Sequence, residues 1–191
     1  MEENYMNDLT KKNETIIAAV SSLDKLDSAI DSPCKTLFLL TGNVFNLQSS
    51  IEKIQKACKK VYVDVDFIEG FGKDTVFIEY LHQVLKPDGI ISTKGNLIKK
   101  AKSLGLFAVQ RIFIFDSMSL QSGIDTVKNI KPDAVEILPG IMPRIITKVR
   151  EETKLPVISG GLISNREDVD AAIKAGAIGI STGNTKLWKG I

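Results

Sequence analysis

Histidine is all but missing from this chain: His82 is the only one. That removes Ser-His-Asp and Cys-His relays and leaves no histidine cluster for a metal. His82 itself falls within an amphipathic helical stretch, away from any strand tip, and reads as a surface or boundary residue. Cysteine is nearly as scarce. Cys34 and Cys58 are the only two, without metal-ligand spacing, so a reducing compartment is expected in place of a disulfide framework. Aromatic residues make up 6% of the chain, and no interleaved aromatic platform or RNP-type motif marks a nucleic-acid binder. Neither sign of charge dominates, since 25 basic side chains face 23 acidic ones, and nothing here demands a polyanion or an acidic membrane. No apolar run approaches the roughly 18 residues of a membrane span. The opening MEENYMNDLTKKN is too polar for a signal peptide. A single cytoplasmic domain is the expectation, with residues 1–13 as a flexible leader, and 43% apolar residues suffice for one substantial core.

The most structured stretch is 156–184, PVISGGLISNREDVDAAIKAGAIGISTGN. An apolar strand ends in Gly160-Gly161, a helix follows, and a second apolar strand ends in Ser181-Thr182-Gly183. Ser164 and Glu167 have the spacing of a capping box at the helix start, and Gly176 supplies the left-handed residue that closes a helix. Strand, crossover and parallel strand fit the available length. Two glycines at one tip and two hydroxyls at the next make room for an oxyanion at Gly160, Gly161, Ser181, Thr182 and Gly183, where barrels of alternating strands and helices often hold a phosphate. The alternative is that the glycines only make tight turns.

Six further strands are expected upstream. Apolar runs lie at 15–20 (TIIAAV), 36–40 (TLFLL), 61–69 (VYVDVDFIE), 90–93 (IIST), 107–113 (FAVQRIF) and 134–138 (AVEIL). Between them lie stretches with apolar residues at three- and four-residue steps. One is 74–85, where Val76, Phe77, Tyr80, Leu81 and Val84 are expected to face inward. Pro143 suits the first position of another. KPDGI and KPDAV precede the fourth and sixth runs, and IIST in the fourth resembles GIST in the eighth, a trace of internal doubling. The fold class is therefore α/β, a compact TIM-type barrel of eight parallel strands with a truncated last helix over 185–191. A doubly wound open sheet would rarely need eight strands in so short a chain.

Barrel geometry puts chemistry at the carboxyl ends of the strands. In 61–69 the valines 61, 63 and 65 face one way while Tyr62, Asp64 and Asp66 face the other, and the two acids are expected near an open barrel mouth, because a closed interior would be costly for them. Candidate polar contacts to a ligand are Asp66, Glu69, Lys94, Arg111 and Glu136. Acids can accept hydrogen bonds from polyol hydroxyls, and Lys94 or Arg111 can neutralise a phosphate. Equally, the opposite charges can pair off among themselves.

The segments VDFIEGFGKD, PDGIISTKGNLIKKAKSLGL, AVQRIFIFDS, KPDAVEILPGIMPRIITKV and the 156–188 stretch together resemble the glycerol uptake operon antiterminator family. The resemblance implies a barrel responsive to glycerol 3-phosphate, with no catalytic residues, metal or cofactor, that binds leader mRNA of glycerol-utilisation operons and prevents premature termination. It departs from the family pattern at Asp64, where a histidine is expected, at Lys94, where an arginine is, and at Gly183-Asn184, where Ser-Asn is. Lysine cannot reproduce the bidentate grip of arginine. The RNA-binding candidates are Lys99, Lys100 and Lys102 on one helix and Arg144 and Lys148 on another, although such residues are also what a solvated helix face looks like. A homo-oligomer is compatible with all of this. The rival reading is an isomerase or lyase for a small phosphorylated compound, with Asp66 or Glu136 as base and Lys94 as electrophile.

Overall fold

In a computed structural model that describes residues 15–189, eight parallel strands close into a barrel in sequence order. The expected leader at 1–13 lies outside the described residues. The strands are β1 (Ile16–Val20), β2 (Thr36–Leu39), β3 (Lys60–Asp64), β4 (Gly89–Ser92), β5 (Phe107–Phe113), β6 (Ala134–Leu138), β7 (Val157–Gly160) and β8 (Gly179–Thr182). Closure comes from β1 pairing with β8, Ile16 opposite Ile180 and Ile17 opposite Ser181. Helices α1 (Leu26–Asp31), α2 (Leu47–Lys56), α3 (Thr75–Tyr80), α4 (Gly95–Ser103), α5 (Ser117–Ile130), α6 (Pro143–Thr153), α7 (Arg166–Lys174) and α8 (Thr185–Trp188) follow the strands in turn.

The core has two shells because side chains alternate along each strand. Val61, Val63 and Val65 face outward into the layer shared with the helices. Ile17, Phe38, Tyr62, Ile91, Val109 and Ile158 fill the barrel interior. Strands this short enclose little space, and two glycines make room for the larger side chains. A Cβ on Gly89 would come within 2.7 Å of the Tyr62 ring, and one on Gly179 within 2.9 Å of Ile17 Cδ1.

Several boundaries differ from the sequence reading. β3 stops at Asp64, two residues short of Asp66, and Glu69 lies in the following loop, where it was expected. The Asp64 carboxylate accepts from Asp66 N at 3.1 Å, a side-chain turn that lifts the chain off the sheet. Asn165, not Ser164, caps α7: its side chain accepts from Asp168 N at 2.9 Å, and Asp168 in return accepts from Ser164 N. The shift by one residue uses Asp168 in place of Glu167. On the α3 stretch, Phe77, Ile78 and Leu81 are buried, whereas Val76 and Val84 face solvent; a π-helical turn over Leu81–Leu85 rotates the expected stripe.

The last helix is indeed a remnant, four residues long. It suffices because Trp188 is fully buried beside the β8–β1 seam and donates its indole N–H to the Thr182 carbonyl at 2.7 Å. One ring does what a full helix does elsewhere in the molecule. Trp188→Ala is therefore expected to cost about 3–5 kcal/mol in urea unfolding. Trp188→Phe, which keeps most of the apolar contact and loses the hydrogen bond, should cost less than half of that.

Candidate functional site

The barrel interior holds three ionised side chains within one ring of contacts. Arg111 and Glu136 stand opposite each other in the β5–β6 register, and Arg111 Nε donates to Glu136 Oε2 at 2.7 Å. On its other side Arg111 Nη1 donates to Asp64 Oδ2 across β4. All three are buried. The ring of Phe67, in the β3–α3 loop, lies 5.8 Å from the guanidinium and roofs it. Arg111 and Glu136 are thus inside the barrel and paired, and Asp64 is in the closed interior, not at the open mouth expected for it. The pairing satisfies the cost that made an interior position look unfavourable.

One cation serves two carboxylates, and the electrostatics follow. Burial pushes the Asp64 carboxyl up to about 6, against the pull of Arg111 and with a further push from Asp66. Burial works against the Arg111 proton too, but Glu136 and Asp64 outweigh it and hold the guanidinium above its ordinary value.

Asp66 is near the mouth, as expected, but its carboxylate is engaged. One oxygen accepts from Ser92 Oγ at 2.9 Å, the other from Thr93 N at 2.6 Å and Thr93 Oγ1 at 2.8 Å. It therefore clasps the tip of β4 to that of β3. Ser92 Oγ in turn accepts from Lys94 N at 3.0 Å, which fixes the start of α4. Lys94 itself is exposed at that helix start, outside the interior, without the apolar burial that makes a lysine a nucleophile. Glu69 is also exposed, and its backbone bridges to Asn43 and ties the β3–α3 loop to the β2–α2 loop.

The two tips proposed as an anion cradle are neighbours, with Gly160 directly opposite Ser181. The absence of a side chain at Gly160 serves Glu136 first, because a Cβ there would lie 2.7 Å from Glu136 Oε1. Gly161 takes φ +75, where a side chain is strained. Ser181 lies on the interior side of β8, in step with Gly179. Thr182 does not join it: alternation turns its side chain outward, where its hydroxyl donates to the Ile163 carbonyl at 3.1 Å and accepts from Asn184 N. Gly183 is exposed at the mouth beside the Ala19 carbonyl. Gly160, Gly161, Ser181 and Gly183 are thus gathered on one side of the opening, next to Glu136, and Thr182 braces them from behind.

The basic candidates do not form one face. Lys100 pairs with Glu79 at 2.5 Å, Lys102 with Asp133 at 2.6 Å and Lys148 with Glu152 at 3.7 Å. Lys99 and Arg144 are exposed on α4 and α6, with α5 between them. The sequence reading named Asp64 as a departure but left it, with Phe67 and Thr93, out of the site. Tyr62, Asp64 and Asp66 share a facing, so the count of interior charges was the signal for Asp64. No local pattern signals Phe67, because its contact is made across the barrel.

The family described as glycerol-3-phosphate responsive antiterminator matches residues 16–188. The chain belongs to that family. The description is of a regulator of transcription, not a catalyst. The crystal structure of the glycerol uptake operon antiterminator regulatory protein from Listeria monocytogenes is 35% identical and superposes with a TM-score of 0.91 over 94% of this chain and 97% of that one. A glycerol uptake operon antiterminator-related protein from Thermotoga maritima is 31% identical, with a TM-score of 0.82 over 93% and 99%. The Escherichia coli K12 protein YgcP, named as uncharacterized, is 40% identical over 93% of both chains. Enzymes of the same shape, such as orotidine 5'-monophosphate decarboxylase from Methanocaldococcus jannaschii at 18% identity and a TM-score of 0.63, share the fold alone.

The raised Asp64 carboxyl gives this antiterminator family member a pH signature. The group holds its proton more tightly folded (about 6) than at its ordinary value of 3.8, so its contribution to stability is complete below about 4 and is lost as pH rises through about 6. The loss is on the order of 3 kcal/mol. Asp64→Asn lacks it. Urea unfolding of both proteins at pH 4 and pH 7 should show the variant gaining on the wild type by roughly 2–3 kcal/mol over that interval; parallel pH profiles would refute the assignment.

Proposed function

We propose that the chain is a ligand-gated RNA-binding regulator: glycerol 3-phosphate binds in the barrel mouth, and the liganded form holds leader mRNA of a glycerol-utilisation operon against premature termination. The observation that carries the reading is the juxtaposition of bare strand tips and a buried polar ring. Gly160 and Ser181 stand opposite each other on neighbouring strands beside the Glu136 carboxylate, and with Gly161 and Gly183 they make the tips on which this reading seats the phosphate. In this reading the phosphate sits on the tips of β7 and β8 and the hydroxyls point toward Glu136 and Arg111. A guanidinium carries five N–H donors, and Arg111 spends one on each carboxylate. Asp66 and Glu69 play no part in this arrangement, the first as a clasp and the second as an exposed loop residue.

Gating requires that the ligand favour the RNA-competent state, and each tenfold change in RNA affinity corresponds to about 1.4 kcal/mol of coupling. Oligomerisation is one way to carry it, closure of the strand-tip loops another. The decisive measurement is retention of the leader transcript with and without glycerol 3-phosphate at one stated salt concentration. Retention that rises with the ligand is expected; retention indifferent to it overturns the gating. In thermal or urea unfolding, glycerol 3-phosphate at about 100 times its dissociation constant should add about 2.7 kcal/mol of stability, and inorganic phosphate at the same concentration much less. Glu136→Gln should weaken glycerol 3-phosphate about tenfold or more, the loss of a hydrogen bond to a charged group, while leaving inorganic phosphate binding nearly unchanged.

A further inference from the structure

The barrel mouth carries most of the large apolar side chains that the described residues expose. Phe45 is 93% exposed and Phe115 is 83% exposed; Phe67, Phe113, Met118 and Leu162 also face solvent. They come from the loops after β2, β3, β5 and β7, or from β5's own end and the first turn of α5, so all stand on the face that opens toward Gly160 and Ser181. Phe113 and Phe115 already form a ledge, their rings 6.1 Å apart and within 7° of parallel. A folded chain normally hides phenylalanine, and a cluster of this kind marks a contact surface.

The charges around the rim decide what it contacts. Lys94, Arg144 and Lys186 are exposed there and make no ion pair among the described residues. Five rim aspartates already hold local donors: Asp24 the Ser22 hydroxyl, and Asp66, Asp74, Asp116 and Asp168 the backbone N–H groups of Thr93, of Val76 and Phe77, of Ser119 and of Ser164. Glu69 and Glu167 are the exposed acids that remain on those loops. A second copy docked face to face about a two-fold axis would bring two rims with the same unpaired cations together. A strand of phosphates with flat unpaired bases complements both features at once, the cations for its backbone and the rings for its bases.

We propose that the aromatic rim of the barrel mouth is the RNA-contact surface, on which unpaired bases of the transcript stack. The inference rests on the RNA-binding reading above and places RNA and effector on one face, so that a ligand ordering the strand-tip loops would also order the ledge. The solvated helix faces carrying Lys99, Lys100, Lys102 and Lys148 become bystanders, and of the basic residues the sequence alone singled out only Arg144, at the start of α6, stands at the rim.

The test uses fluorescence anisotropy of a labelled leader transcript with glycerol 3-phosphate present. Phe45→Ala and Phe115→Ala, both at exposed positions, should each lower RNA affinity about tenfold or more, with an unchanged dependence on salt, because no phosphate contact is removed. Stabilisation by glycerol 3-phosphate should be unaltered in both. Phe115→Trp should retain binding and Phe115→Leu should lose it, a distinction that hydrophobic contact without stacking would not make. Wild-type affinity in both alanine variants overturns the rim and leaves the regulator reading standing. Failure of the wild type to retain the transcript overturns both. Dissociation of a wild-type dimer by the alanine variants in sedimentation, with RNA loss only as its consequence, assigns the rim to a second copy and overturns the proposal.

Discussion

Arg111 stands between Asp64 and Glu136 in the one place where the fold can least tolerate a mistake, the interior of a barrel whose strands are four to seven residues long. Taking three charges out of water is costly, and only mutual hydrogen bonding offsets it. Much of the surrounding structure accommodates that ring. Gly160 lacks a side chain where Glu136 needs the space, and Phe67 folds back over the guanidinium. Asp64 also bonds to Asp66 N, ending β3 and sending the chain into the loop that carries Phe67. Burial, outweighing the pull of Arg111, leaves Asp64 poised near 6.

A barrel of this kind separates stability from function by direction. The outer apolar layer and the Trp188 plug hold the strands, while the charged ring points inward and the Asp66 clasp lies at the mouth. Asp66 shows how the two are joined. Its carboxylate serves no ligand in this arrangement, yet by holding Ser92 and Thr93 it sets the position of α4 and of Lys94. Enzymes with 12–18% identity show how little the scaffold says about chemistry. The Listeria antiterminator regulatory protein and the Thermotoga antiterminator-related protein share enough sequence along the whole chain to say more.

Lysine at position 94 and aspartate at position 64 have different meanings once they are placed. Lys94 is a solvent-facing cation at a helix start, where a change from arginine costs reach and geometry but not an interior partner. Asp64 is a buried anion bonded to Arg111, where a change of charge alters the electrostatics of the whole ring. Of the two positions, 64 is the one where a change of side chain has the larger physical consequence.

Eight strands, their order and most of their facings were legible in the sequence, because apolar runs, glycine stops and the period-two alternation of 61–66 are local properties of the chain. The same local rules placed Gly160 beside Ser181 once the strands were taken as neighbours. They could not say that Arg111 would reach Asp64 over an intervening strand, that Thr182 would turn its hydroxyl to Ile163, or that four phenylalanines from three separate stretches would share one rim. Those are outcomes of curvature and closure. Alternation determines which side of a strand a residue takes, and only the closed barrel determines what it meets there.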